Sequence, residues 1–205
     1  MSVKIALTLI IGYLLGSIST GVLLSRFLTK SDIRKEGSGN AGTTNMLRVH
    51  GRGMALLTLA GDMLKGIIAV FIGFALVGGE AGGLLGAVGA VLGHNFPCFF
   101  GFKGGKGIAT SFGCLLIIFP LQTLFAFGVF LVLFIVTRYV SVGSISAAVA
   151  LPLAVLFTTP RDIIVWPATI FLGSLAIARH APNISRLLAG KENRIDFSVF
   201  KGKKK

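Results

Sequence analysis

The amino-acid sequence predicts an all-α integral membrane protein of about seven transmembrane helices, with the N-terminus outside and the C-terminus cytoplasmic. Three observations carry this. Of 205 residues 54% are hydrophobic and the mean hydropathy is +0.87, more apolar surface than one soluble core of this size hides. Apolar runs recur along nearly the whole chain, separated by short breaks bearing Gly, Pro or charge. Runs such as LFAFGVFLVLFIV (124–136) lack the alternation of a membrane barrel.

The expected spans are 3–25, 53–77, 81–99, 107–119, 121–137, 142–158 and 162–179, within a single polytopic domain covering 1–205. The first run has no A-x-A-like cleavage site and exceeds a signal-peptide core, so it reads as a retained span. The second carries Asp62 and Lys65, an i, i+3 pair of the kind that marks an intramembrane site. The third reads GGLLGAVGAVLG (82–93), whose small residues four apart predict close helix packing. The fourth is short, roughly 20 Å at helical rise, and its preceding glycine-rich segment is expected to fold inward. Pro120, Arg138 and Thr159-Pro160-Arg161-Asp162 separate the rest. Cys98 and Cys114 lie in or beside apolar runs and are expected as free thiols.

Charge sets the orientation. The net charge is +13, from 20 Lys+Arg against 7 Asp+Glu. The basic residues sit between apolar runs without interleaved aromatics, which argues for lipid or anionic substrate and against nucleic acid. Arg26, Lys30, Arg34, Lys35, Arg48, Arg52, Lys103, Lys106 and Arg138 share one face with a basic tail at 180–205. The other face has Lys4 and Arg161. The positive-inside rule makes the rich face cytoplasmic and requires an odd number of spans.

That face holds the unusual segments. In EGSGNAGTTNMLR (36–48) small residues let backbone N–H groups converge on an anion, and Thr44, Asn45 and Arg48 share one side of a short helix. Ser38 and Asn40 at the helix start complete a phosphate or carboxyl-phosphate site, or else an ordinary capped loop. In GHNFPCFFGFKGGKGIAT (93–110), Gly101, Gly104, Gly105 and Gly107 interleave with Lys103 and Lys106 before a helix. The segment is not a Walker A motif, and snorkelling lysines would need no such glycines. His94 reads as a polar helix-end cap. Ser141, after Arg138 and Tyr139, is an N-cap or a ligand group. His180, in RHAPNISRLLAG (179–190), is a base, a phosphate contact or an interfacial residue.

The missing residues narrow the chemistry. There is no D-x-x-D-G for a two-metal phosphotransferase, no zinc-ligand cluster and no His-x4-Asp, since Ala55, Phe99 and Ser185 follow the three histidines at that spacing. No nucleophile with its base is visible. Metal-free anion recognition at a membrane surface remains.

GSGNAGTTNMLRVHG (37–51), GHNFPCFFGFKGGKGIAT (93–110) and RYVSVGSI (138–145), with YLLGSISTG (13–21) and RHAPNISRLLAGKE (179–192), resemble in order and spacing the motifs of the bacterial acyl-phosphate-dependent glycerol-3-phosphate acyltransferases. Pro182 stands where that pattern has an acidic residue, while His180 matches. The resemblance implies a multi-pass protein of the bacterial cytoplasmic (inner) membrane with its site facing the cytoplasm. It implies transfer of a fatty acyl group from acyl phosphate to the 1-hydroxyl of glycerol 3-phosphate, giving lysophosphatidic acid and phosphate for phospholipid synthesis. No metal and no cofactor is implied; the partners are the two substrates and membrane lipid. Ser38, Asn40 and the 37–42 backbone, including Gly37, Gly39 and Gly42, are expected at the acyl-phosphate head. Arg48, Lys106 and His180 are expected at the glycerol 3-phosphate phosphate, with Thr44, Asn45, Lys103 and Ser141 in support and Gly104, Gly105 and Gly107 binding by backbone. The rival is a transporter or flippase of a small phosphorylated anion, which needs a second access route that the polar-poor outer face does not suggest.

Overall fold

The computed structural model describes residues 2–195, which are helical with short connections. The helices are α1 (Ser2–Gly16), α2 (Thr20–Thr29), α3 (Thr43–Leu76), α4 (Gly79–Asn95), α5 (Ile108–Ile118), α6 (Pro120–Thr137), α7 (Val140–Thr158), α8 (Val165–Arg179) and α9 (Ala181–Leu188). The stretches Ser2–Thr29 and Gly79–Phe100, with α3, α6 and α7, are long and apolar enough to cross a membrane, while α5 and α8 are shorter apolar helices. Leu121, Val136, Phe157 and Ile163 are each at least 75% exposed. Such side chains turned outward from a bundle are at home against lipid.

The glycines of α4 set the packing. A Cβ on Gly86 would lie 2.1 Å from the Ala69 carbonyl oxygen of α3, and one on Gly93 would lie 2.1 Å from the Tyr13 carbonyl of α1. The predicted small-residue faces thus bring α4 into backbone contact with two helices at once. An apolar core runs from α3 to α8 through Val70, Leu84, Val91, Leu115, Leu151 and Leu172.

Several expected boundaries change. The first span, expected unbroken over 3–25, parts at 17–19, and the carbonyl this frees on Ile18 accepts a hydrogen bond from Lys65 Nζ at 2.8 Å. The second, expected from 53, does follow a break, at Gly51 with φ 81°, which separates it from the expected short helix carrying Thr44, Asn45 and Arg48. The helix of the third span ends at Asn95, while its apolar stretch runs on to Phe100, next to the expected limit of 99. The last begins at Val165, where Asp162 Oδ1 accepts from the N–H groups of Ile164 and Val165. The expected tail is folded as far as Ile195. Its α9 is followed by a strip whose Ile195 N–H donates to the Arg138 carbonyl at 2.9 Å. Residues 196–205 of that expected tail lie outside the described residues.

Candidate active site

The α2–α3, α4–α5 and α6–α7 connections and the 180–195 segment meet at one end of the bundle. Arg34 ties the first two, donating to Asp32 at 2.8 Å and to the Phe100 carbonyl at 2.6 Å. Its guanidinium holds the Asp32 carboxyl well below the usual range. Arg179, at the end of α8, donates to the Gly105 carbonyl at 3.0 Å and lies 5.0 Å over the Phe96 ring.

Between these connections opens a cavity of 440 Å³ with two different halves. Its polar end is lined by Ser38, Asn40, Arg48, Lys106, Ser141 and His180. The rest runs into the bundle between Phe112, Leu115, Phe127, Phe130, Leu151 and Leu172. Gly42, Thr44, Asn45 and Gly107 also line it. Gly37, Gly39, Lys103, Gly104 and Gly105, all expected at the site, lie outside its lining.

The first loop is organised by Asn45, which is buried. Its Nδ2 donates to the carbonyls of Ile33, Glu36 and Asn40, and its Oδ1 accepts from Ser38 N–H at 2.8 Å. Asn45, expected in support of substrate binding, lines the cavity, and its side chain shapes the turn that presents Ser38 and Asn40. Gly37 must be glycine here, since at φ 57° a Cβ would fall 2.3 Å from Asn45 Oδ1.

The second loop rests on a buried ionic cluster. Lys65 Nζ lies 2.8 Å from Asp62 Oδ1 and 3.0 Å from His94 Nδ1, and Asp62 is 3.5 Å from His94. The expected Asp62–Lys65 pair is formed, and His94, expected as a helix-end cap, joins it. Gly105 N–H donates to the His94 carbonyl at 3.1 Å, and a Cβ on Gly105 would lie 2.1 Å from His94 Nε2. Gly104 and Gly105 therefore fit the loop against His94 and Arg179. The loop's Lys106 turns into the cavity and donates to Asn183 Oδ1. Burial lowers its pKa to about 8, against the opposing pull of the Glu192 carboxylate.

His180 caps α8, and its Nδ1 lies 2.8 Å from the Ala176 carbonyl. A carbonyl only accepts, so Nδ1 carries the proton and Nε2 the lone pair. Burial first, then the nearby Lys106, pushes the imidazole down to about 4. Asn183, Arg186 and Glu192 line the same space and were not singled out from sequence. Glu192 Oε1 accepts from Ser141 Oγ at 3.0 Å and from Asn183 Nδ2 at 2.6 Å, and Oε2 accepts from Arg186 Nε at 2.7 Å. These donors keep its carboxyl below the ordinary value. Among the described residues no three His, Cys, Asp or Glu side chains gather as a metal site would require.

Fold and site together define a class: a helical membrane enzyme whose cavity joins a cationic mouth to an apolar interior. The chain belongs to the glycerol-3-phosphate acyltransferase family, whose model matches residues 6–190. A glycerol-3-phosphate acyltransferase of Syntrophotalea carbinolica is 48% identical over 187 residues, covering 91% of this chain and 95% of that one. One of Thermoanaerobacter pseudethanolicus is 44% identical, covering 92% and 94%. The crystal structure of PlsY (YgiH), an integral membrane glycerol 3-phosphate acyltransferase, in its glycerol 3-phosphate form superposes with a TM-score of 0.89 at 37% identity, over 97% of this chain and 99% of that one. Its lysophosphatidic acid form gives 0.85 at 37% identity, over 96% and 98%. The chain is accordingly an acyltransferase, and the transporter alternative is set aside.

Proposed function

We propose that this enzyme transfers a fatty acyl group from acyl phosphate to the 1-hydroxyl of glycerol 3-phosphate at the cytoplasmic face of a bacterial inner membrane. The observation that carries this is the two-ended cavity. Arg48, Lys106 and the hydroxyl and amide groups of the first loop suit phosphate, and the phenylalanine-lined interior suits a fatty chain. The basic connections at that end argue for the cytoplasmic side.

Ser38, Asn40 and the 37–42 backbone hold the acyl-phosphate head, with Thr44 and Ser141 beside it. Arg48 and Lys106 hold the phosphate of glycerol 3-phosphate, and exposed Lys103 adds to the attractive field. The hydroxyl oxygen attacks the acyl carbonyl carbon and forms the ester bond. The bond from that carbon to the bridging oxygen breaks, and inorganic phosphate leaves with the electron pair. Because the acyl phosphate already carries a good leaving group, orientation and charge stabilisation supply most of the rate.

The hydroxyl proton needs an acceptor. At about 4, His180 is too weak a base to hold it at neutral pH. A phosphate dianion, with a second pKa near ~6, is the stronger one, so a substrate phosphate oxygen takes the proton. The His180 Nε2 lone pair accepts a hydrogen bond from the 2-hydroxyl of glycerol 3-phosphate and orients the substrate, leaving the 1-hydroxyl proton to the phosphate.

The test uses purified protein in detergent or lipid with synthetic acyl phosphate and glycerol 3-phosphate, and a parallel reaction with acyl-CoA. Phosphate release that requires glycerol 3-phosphate, with acyl-CoA inert, is the expected result. No turnover by folded protein would refute the reading, and turnover with acyl-CoA alone would refute the donor.

A further inference from the structure

Asn183 sits between two groups that cannot exchange roles. On one side Glu192, an ionised carboxylate, only accepts hydrogen bonds; on the other Lys106, an ammonium, only donates. One orientation of the Asn183 amide satisfies both, with Nδ2 toward Glu192 and Oδ1 toward Lys106. The Glu192 side chain is 7% exposed, and its remaining contacts go to Ser141 at the start of α7 and Arg186 on α9. A single carboxylate therefore binds together α7, α9 and, through Asn183, the second loop.

We propose that Glu192 is a positioning residue of the acyl transfer, fixing the Asn183 amide and through it the Lys106 ammonium in the orientation that meets substrate phosphate. Its oxygens are taken up by Ser141, Asn183 and Arg186, so it acts through Asn183 and not as a substrate ligand. This rests on the reaction proposed above. The charges facing Lys106 are Arg48 of α3, Arg179 of α8, Arg186 of α9 and Glu192, with neutral His180 alongside. The other carboxylate of the lining, Asp62, is paired with Lys65. Glu192 is thus the counter-charge that favours protonated Lys106 against burial and three arginines. Removing its charge has two consequences, one geometric and one electrostatic, and they can be read separately.

The experiment compares Glu192→Gln, Glu192→Asp and Glu80→Gln with wild type, each checked for folding by size exclusion and thermal melting. The rate of phosphate release is measured from pH 6 to 10. Glu80 is exposed, at the end of α4 away from the second loop, and its variant keeps the wild-type profile. Glu192→Gln lowers kcat about tenfold or more. It also moves the alkaline limb of kcat/KM to lower pH by roughly one unit, because Lys106 loses its proton more readily. Glu192→Asp keeps the charge but shortens the reach, so kcat falls while the limb stays. A Glu192→Gln enzyme with wild-type kcat overturns the proposal. So does one whose kcat falls while its limb is unmoved, which gives Glu192 a merely structural part. If Glu192→Gln does not fold, Glu192→Asp decides, and an unchanged kcat there overturns the proposal. An inert wild type overturns the reaction itself, and this inference with it.

Discussion

Lys65 compensates a carboxylate that has almost no access to water. Asp62 is 1% exposed, and its close cationic partner is the Lys65 ammonium at 2.8 Å, which also donates to the carbonyl freed by the break before α2. Lys65→Met keeps most of the side-chain volume but leaves Asp62 as an uncompensated charge inside the bundle and the Ile18 carbonyl without its donor. Breaking one partner of a buried pair costs about 3–5 kcal/mol. For a chain of this size 1 kcal/mol corresponds to about 2–4 °C in Tm, so the variant melts roughly 6–20 °C below wild type. Replacing both partners removes the orphaned charge, and Asp62→Asn with Lys65→Met recovers more than half of that loss. The assay is thermal unfolding of purified protein in one detergent, followed by intrinsic fluorescence and by residual activity. The activity of the single variant falls even below its melting range, because His94 leans on both residues and carries the second loop at Gly105. A Lys65→Met melting point within about 2 °C of wild type, or a double variant no better than the single, would refute the reasoning.

Lys106→Ala lowers kcat/KM about a hundredfold or more in protein that melts normally, mostly by raising KM for glycerol 3-phosphate; near-normal kinetics would remove Lys106 from the site. The wild-type rate has an alkaline limb near pH 8. The Lys106 pKa is lowered to about 8, so the charged form prevails below that pH and is lost as pH rises through it; Lys106→Arg, charged throughout, pushes the limb upward even as kcat drops. Gly105→Ala sets a methyl group 2.1 Å from the His94 ring nitrogen, and the shift it forces costs about 1–3 kcal/mol in melting experiments together with turnover. Asn45→Ala unties the carbonyls of Ile33, Glu36 and Asn40, and abolishes activity by releasing the first loop rather than by removing a substrate contact. Limited proteolysis cutting between 30 and 42 in that variant and not in wild type checks this.

The helical class was legible because lipid demands long apolar runs, and α6 and α7 fall within one or two residues of their expected limits. The break at 17–19 was not. Ser17-Ile18-Ser19 is small and uncharged enough to pass as helix, and the group that satisfies its freed carbonyl, Lys65, lies far along the chain. The polar end was legible at Ser38, Asn40, Arg48, Lys106, Ser141 and His180, which the fold gathers around one cavity. Composition could not tell apart residues that shape a loop from those that face into the cavity: Gly104 and Gly105 lie outside its lining, while Asn45 lines it and also ties the first loop. Glu192 stayed hidden for a different reason. It is an isolated acid in a basic stretch, GKENR, which reads as a solvated tail unless its contacts with Ser141 and Asn183 are seen.

The strip after α9 is also the last part of the described fold to be made. Ser38 and Arg48 leave the ribosome early, between the first membrane-crossing stretch and the second, whereas Glu192 and Ile195 follow every helix of the bundle. Helices can enter the bilayer one after another as they emerge, each satisfying its own backbone. The bonds from Glu192 to Ser141 and from Ile195 to Arg138, spanning 51 and 57 residues, form only after that. A chain that ended after α8 would lack the bonds of Glu192 to Ser141 and Asn183 and of Ile195 to Arg138, and its cavity would be left without those ties.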